Sequence, residues 1–420
     1  MNHTEVKVTR LSQRRNAVVR LTIVLCSFIV LGISIGVSYN CWGLFTVPVC
    51  GDIEISRKAF GALYSAIFVG QIIASLLFGR ILRRIKLIKI VRISATVLPV
   101  IMLLFPKIKR AEQLWFLGLL LGVFQAGVSF LPFSMIVANW FVKFRGVVTG
   151  IIFMSSGLIG ALLSPIVNGW IGIFGWRRSI VYLVCILALI DIPISWLFLF
   201  EHPRDKGMTP LGSEEKEIQA SRDDAWGFDS RECIHQPRFW LFNVYTAGLF
   251  MSTALGGTIV PYLQDIGYSS TFSALIQSAG MLSIAVTRVL CGQLCDKVKD
   301  GRAVEIMSVI TGVFFIGLLG AGKGTWLVLL IPVGQGLVQA TSAVCYPLTI
   351  GTFFGRKHYA EVSGMLNAFS YAICAVTPLI YGGAYSEDSS YQHGYLIILL
   401  AYGIGVACLL LSRNVDIREK

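Results

Sequence analysis

The chain has 420 residues, of which 55% are hydrophobic and 14% charged, and a formal net charge of +13. That much apolar surface exceeds what the interior of a soluble protein of this length holds, so a soluble enzyme is excluded and the excess must face lipid. The positive charge does not point to nucleic acid, because most Lys and Arg fall in short segments on one side of the predicted spans, the positive-inside pattern.

Residues 1–17 form a basic tail with Lys7, Arg10, Arg14 and Arg15. Apolar runs long enough to cross a bilayer then predict helices at about 18–47, 60–81, 90–106, 113–138, 146–170 and 178–200. In the first, Gly32, Gly36, Tyr39 and Gly43 share a face, and small residues there let a neighbour approach closely. The turn Arg80–Lys86 is strongly basic and is placed in the cytoplasm. Residues 201–236 are polar and charged with no spanning run, which predicts a cytoplasmic linker. Six more helices follow at about 238–264, 271–295, 303–321, 325–351, 361–382 and 392–411. The expected organisation is a tail (1–17), a six-helix bundle (18–200), the linker (201–236), a second six-helix bundle (237–412) and a tail (413–420), with both termini cytoplasmic.

The two halves repeat. Gly122-Val-Phe-Gln125 is followed by Pro132, Trp140-Phe141, Gly150 and Pro165, and Gly336-Leu-Val-Gln339 by Pro347, Phe353-Phe354, Gly364 and Pro378, at spacings that agree within a residue. Such parallel repeats are a transporter signature.

One full charge, Arg288, stands inside otherwise apolar sequence. At about 1.5 Å per residue it lies roughly 12 Å from Asp296, near the bilayer midplane. An arginine there costs at least ~2.5 kcal/mol and faces protein or a watery cavity. It is read as the anion-binding charge, with a structural clamp on backbone carbonyls as the competing reading. On helix 10, Gln335, Gln339, Ser342 and Tyr346 follow i, i+4, i+7, i+11 and predict an inward polar face. Gln339, Tyr346, Gln125, Tyr39 and the pair Asn367 and Tyr371 are candidate substrate contacts, weighed against plain helix–helix hydrogen bonding. Asp191 in helix 6 is the other deep charge and a candidate proton site, with a neutral or hydrogen-bonded structural carboxyl as the competing reading. Cys291 and Cys295 share a helix face and read as packing residues rather than a disulfide or metal site. None of the five histidines lies deep in a span, and no metal or cofactor is expected. Gly32-Ile-Ser-Ile-Gly36 matches a hydrolase elbow only in letters, since it is mid-helix. Gly317 to Lys323 resembles a phosphate-binding loop but ends in Gly324 where Ser or Thr is required, so transport must be driven by gradients.

The two six-helix repeats and their turns resemble the major facilitator superfamily over essentially the whole chain. That superfamily carries a Gly-x-x-x-Asp-[Arg/Lys] turn after helices 2 and 8. Gly292-Gln-Leu-Cys-Asp296-Lys297 matches it, whereas Gly79 is followed by Arg83 where Asp belongs. Within the superfamily the chain is most similar to the monocarboxylate and oxalate/formate transporters. The carrying residues are Tyr39 to Pro48, Ser56-Arg57, Asn139-Trp140-Phe141 with Arg145-Gly146, Pro237-Arg238-Phe239-Trp240 and Arg288. The resemblance implies alternating access, with Arg288 contacting a substrate carboxylate and Gly79, Arg83, Gly292, Asp296 and Lys297 taking part in gating. The second cations of those families, on helix 1 or helix 11, are missing, and Ile284 stands where animal monocarboxylate transporters carry an acid. A single guanidinium suits one carboxylate. The expected function is therefore antiport or proton symport of a small organic anion, foremost a monocarboxylate, by a monomer in a bacterial inner membrane. The partners are the substrate, the lipid bilayer and a proton or counter-anion. Export of neutral or cationic compounds, or a transporter-like sensor, are the alternatives.

Overall fold

A computed structural model describes residues 3–212, 226–298, 301–388 and 391–414. In hydrocarbon every backbone N–H and C=O must be bonded within the protein, so apolar runs of this length can only be helices or closed barrels. They are helices: α1 (Arg15–Asp52, helical backbone running back to His3), α2 (Arg57–Leu82), α3 (Leu87–Lys107), α4 (Ala111–Trp140), α5 and α6 (together Arg145–Leu197), α7 (Pro237–Asp265), α8 (Ser270–Lys297), α9 (Arg302–Gly320), α10 (Trp326–Phe354), α11 (Tyr359–Asp388) and α12 (Gln392–Asn414). Helices α5 and α6 are divided at Gly175, whose φ of 78° and ψ of 164° only glycine adopts readily. No loop separates them, which is why the span reads as one element. The face that holds the turns after α2 and α8 is called here the terminal face.

The repeat seen in sequence recurs in the helix ends. Ser56 Oγ accepts from Ala59 N at the start of α2, and Ser269 Oγ accepts from Phe272 N at the start of α8; such a cap is worth about 1 kcal/mol. It also recurs in the helix breaks. Helix α1 has a π turn at Gly36–Asn40 where its counterpart α7 has a 3-10 turn at Leu255–Thr258. Helix α4 has a 3-10 turn at Ala126–Val128 where α10 has a π turn at Thr341–Cys345. A further π turn, Leu187–Asp191, lies in α6.

Close approach of helices follows the small residues. A Cβ on Gly122 of α4 would fall 2.0 Å from the Ile67 carbonyl of α2, so these two backbones touch only because position 122 is glycine. The Gly32–Gly36 stripe packs on α5 at Ser155, Ile159 and Gly160, as its spacing implied. Large side chains fill the remainder, with Trp42, Phe45 and Phe105 buried in one half and Phe242, Tyr245 and Phe314 in the other.

Residues flanking 213–225 attach to each half in the same manner. Leu211 N donates to Trp140 O, and Val142 N and Lys143 N donate to Leu211 O. Phe228 N donates to Phe354 O, and Arg356 N and Lys357 N donate to Trp226 O. The helix Ser230–His235 follows, capped by Asp229, which accepts from Glu232 N and Arg231 N; those bonds hold its carboxyl below the usual carboxylate range.

Candidate substrate site between the two halves

The halves meet along two helix pairs. Where α5 crosses α8 on the terminal side, a Cβ on Gly146 would lie 2.2 Å from Gly292 O, and one on Gly292 would lie 2.2 Å from Gly146 O. The Asp296 carboxylate then reaches the first amides of α5, accepting from Gly146 N at 2.7 Å and Val147 N at 2.9 Å. Those amides have no partner inside their own helix, and the helix dipole favours a negative charge there. Where α2 crosses α11, Gly79 packs on Glu361, and Arg83 forms an ion pair with Glu361, which also accepts from Ser230 Oγ at 3.2 Å. The acidic residue missing from the first half's turn is thus supplied by the opposite helix, with the signs exchanged. Sequence reasoning noticed the anomaly at Arg83 but not its partner, which lies 278 positions away.

Further from the terminal face, Arg288 reaches from α8 across to the first half. Its backbone carbonyl abuts Gly150, and Nη1 donates to Phe153 O and to Ser156 Oγ at 2.6 Å, both on α5. Its Cζ stands 5.3 Å from the centre of the Phe130 ring on α4, within cation–π range. Arg288 is 5% exposed, its Nε has no hydrogen-bond partner, and among the described residues no carboxylate pairs with it. A buried guanidinium with neutral partners alone is an electrostatically incomplete arrangement.

The other candidates fall into three groups. Tyr39, half-buried, packs edge-on against Tyr64 and Phe68 of α2, and Phe68 stacks on Tyr371 of α11 at 6.3 Å, so Tyr39 and Tyr371 are joined across the halves by one ring. Asn367 lies one turn from Tyr371 and is also half-buried. Gln125 is buried within the first half, accepting from Gln71 Nε2 at 2.9 Å and donating to Ser38 Oγ at 3.0 Å. On α10 the uniform register assumed from sequence breaks at the π turn. Gln339 Nε2 faces Thr253 O of α7 at 3.5 Å, while Tyr346 is turned into the core, stacked on Phe242 at 5.8 Å with its hydroxyl near Ser370 Oγ at 3.4 Å. Gln335, buried over Gly280 of α8, keeps an unpartnered Oε1.

Asp191 is fully buried against α1, accepting from Ser34 Oγ at 2.7 Å, with Oδ1 unpartnered. Ser38 Oγ in turn donates to Ser34 O, so a polar thread runs from Gln71 and Gln125 to Ser38 and Ser34 and on to Asp191. Phe130, Phe153 and Ser156 were missed by sequence reasoning, because aromatic and serine residues in an apolar helix carry no mark of their neighbours. Gln71, an amide in the middle of an apolar span, was legible and overlooked.

Twelve helices in two repeated halves, with an isolated buried cation between them, define a membrane transporter of the alternating two-bundle class. The chain belongs to the Major Facilitator Superfamily, whose profile matches residues 23–378 and 242–418. Among curated relatives it is 22% identical to the probable sulfoacetate transporter SauU of Cupriavidus necator, over 68% of this chain and 67% of that one. It is 22% identical to the probable galactarate/D-glucarate transporter GarP of Escherichia coli, over 86% and 87%, and 25% identical to human monocarboxylate transporter 11, over 56% and 47%. Its fold matches the proton:xylose symporter XylE with a TM-score of 0.71 at 14% identity, covering 94% and 95% of the two chains. It matches the human organic anion transporter MFSD10 with a TM-score of 0.70 at 15% identity, covering 93% and 99%. The chain is an integral multi-pass membrane transporter and not an enzyme.

Proposed function

We propose that the protein moves a small organic anion, foremost a monocarboxylate, across a bacterial inner membrane by alternating access, with its terminal face and residues 201–236 in the cytoplasm. The observation that carries this is Arg288, buried between the halves with no carboxylate paired to it among the described residues. An incoming carboxylate takes the unpartnered Nε and competes with Phe153 O and Ser156 Oγ for Nη1. Hydrogen bonds to a carboxylate are roughly twice as strong as those to neutral acceptors, so the anion releases the clamp between α8 and α5 as it binds. Binding and the freeing of the two bundles are then one event. Tyr39, Tyr371, Asn367 and Gln339 are assigned to the substrate's uncharged part. Asp191, joined to Gln125 through the serine thread, is assigned to the proton in a symport cycle.

The names of several relatives, which carry sulfoacetate, monocarboxylate and sugar-acid labels, support an anionic cargo. A cationic cargo is disfavoured because Asp191 is sealed from the interface between the halves. The test is uptake of labelled monocarboxylates into proteoliposomes, wild type beside Arg288→Gln. Losing two charged hydrogen bonds removes about 3 kcal/mol or more, a hundredfold in uptake at low substrate. Dependence on substrate loaded inside separates exchange from symport. Equal uptake by a folded Arg288→Gln protein would refute the assignment.

A further inference from the structure

We propose that Cys291, Cys295 and Cys345 form a binding site for a soft, thiophilic d10 metal ion of the Cu(I)/Zn(II) class, held between α8 and α10. Their sulfur atoms all lie within 4.8 Å of one another, with Cys291 and Cys345 at 3.0 Å and Cys295 and Cys345 at 3.2 Å. All three are free thiols. Cys291 and Cys345 are fully buried and Cys295 is half-buried, so the cluster has an inner wall and one side an ion can enter from.

The sequence places two of the sulfurs and the backbone places the third. Cys291 and Cys295 are one turn apart on α8 and project to the same side. Cys345 is the last residue of the π turn Thr341–Cys345. A π turn inserts one residue into the helical register, and here it brings the Cys345 sulfur against α8; such turns concentrate at functional sites. Reading Cys291 and Cys295 from sequence as packing residues left this third sulfur out.

The donor set determines the ligand class. Sulfur-only coordination selects Cu(I) or Zn(II) and rejects Mg2+, Ca2+ and Mn2+, which take oxygen. Metal–sulfur bonds of about 2.3 Å put the sulfurs of a trigonal site about 4 Å apart, so the two close pairs need to open by less than about 1 Å. Among the described residues no histidine or carboxylate joins the group, so it supplies three ligands. Three-coordinate Cu(I) is satisfied by that number, while Zn(II) would add a water on the Cys295 side. Each thiol that ligates gives up its proton, so affinity rises with pH. A bound ion would fasten α8 to α10 between Arg288 and Asp296. The site itself rests on the sulfur cluster and not on the substrate reading.

The experiment uses the full-length protein, purified in detergent, reduced and stripped of metal. Cd(II) is the probe, since its thiolate complexes absorb in the near ultraviolet, and competition with Zn(II) and with chelator-buffered Cu(I) ranks the two ions. One saturating equivalent of Cd(II) per chain is expected. Affinity should fall by more than the roughly tenfold that losing even an outer partner of a metal ligand costs in Cys291→Ser and Cys345→Ser. It should be unchanged in Cys374→Ser, a buried thiol elsewhere on α11. Cys345→Ala repeats the measurement if the serine variant does not fold, and the wild-type titration stands by itself if neither does. Absence of a saturable Cd(II) band in the reduced wild type overturns the proposal. So does binding that survives replacement of all three cysteines.

Discussion

Replacing Gly292 by alanine is expected to open the terminal face. The new Cβ would stand 2.2 Å from Gly146 O and 2.6 Å from Gly146 C, both backbone atoms that cannot swing aside. Carbon–carbon contacts settle at about 3.5–4.0 Å, so α5 and α8 must part by more than 1 Å at this crossing. The bonds from Gly146 N and Val147 N to Asp296, at 2.7 and 2.9 Å, are then stretched beyond use. Each hydrogen bond to a charged group contributes about 1.5–3 kcal/mol; the lower value suits this accessible carboxylate, giving about 3 kcal/mol for the pair. That corresponds to about a hundredfold change in the balance between closed and open terminal faces. Hydrogen–deuterium exchange reads it directly, because the amides of Gly146 and Val147 depend on Asp296 for protection. Exchange in residues 145–150 should accelerate by about two orders of magnitude, with little change in buried stretches of α4 or α10. Exchange at Gly146 and Val147 within threefold of wild type, in a variant that still folds, would refute the view that this crossing holds the face shut.

The inverted pair on the other side gives a second expectation. Arg83→Ala should cost less than about 1 kcal/mol, because Arg83 is 62% exposed, whereas Arg83→Asp places like charges together and should speed exchange at the start of α11, with recovery on adding Glu361→Arg. Gly175→Ala should lower the unfolding midpoint by the equivalent of about 1–3 kcal/mol through backbone strain alone, since nothing lies within 4 Å of the new Cβ. Gly169→Ala, equally open but in regular helix, should leave the midpoint unchanged or raise it; matching losses in both would disprove the strain argument. Asp191→Asn, which keeps an acceptor for Ser34, should abolish uptake driven by an imposed proton gradient while leaving exchange intact. Proton-driven uptake that persists would remove Asp191 from the cycle.

The helices were legible because each apolar run is long enough to span a bilayer and must bond its own backbone. Their ends were less so: α1 was expected over 18–47, ending before Pro48, yet the helix takes Pro48 into its interior and continues to Asp52. The site was legible where a single residue type is anomalous in lipid, as with Arg288 and Asp191. It was hidden wherever position depends on one inserted residue. The π turn at Thr341–Cys345 separates Gln339 from Tyr346 on α10 and delivers Cys345 to α8, and no composition or periodicity marks it. Pairings across the halves, such as Arg83 with Glu361, were equally silent, because nothing in either segment names its partner.

The twin attachments of Leu211 and Trp226 bear on how force passes between the halves. Leu211 is tied by three backbone hydrogen bonds to the bundle beside it, and Trp226 by two, with Phe228 N adding a third. Between them run fifteen peptide steps (226 − 211 = 15), with a contour length of roughly 50 Å. Each fastening therefore belongs to its own bundle: Leu211 to the strand-like turn after α4 and Trp226 to the turn after α10. Among the described residues, the bundles also meet directly through the contacts of α2 with α11 and of α5 with α8, where Arg83, Asp296 and Arg288 stand.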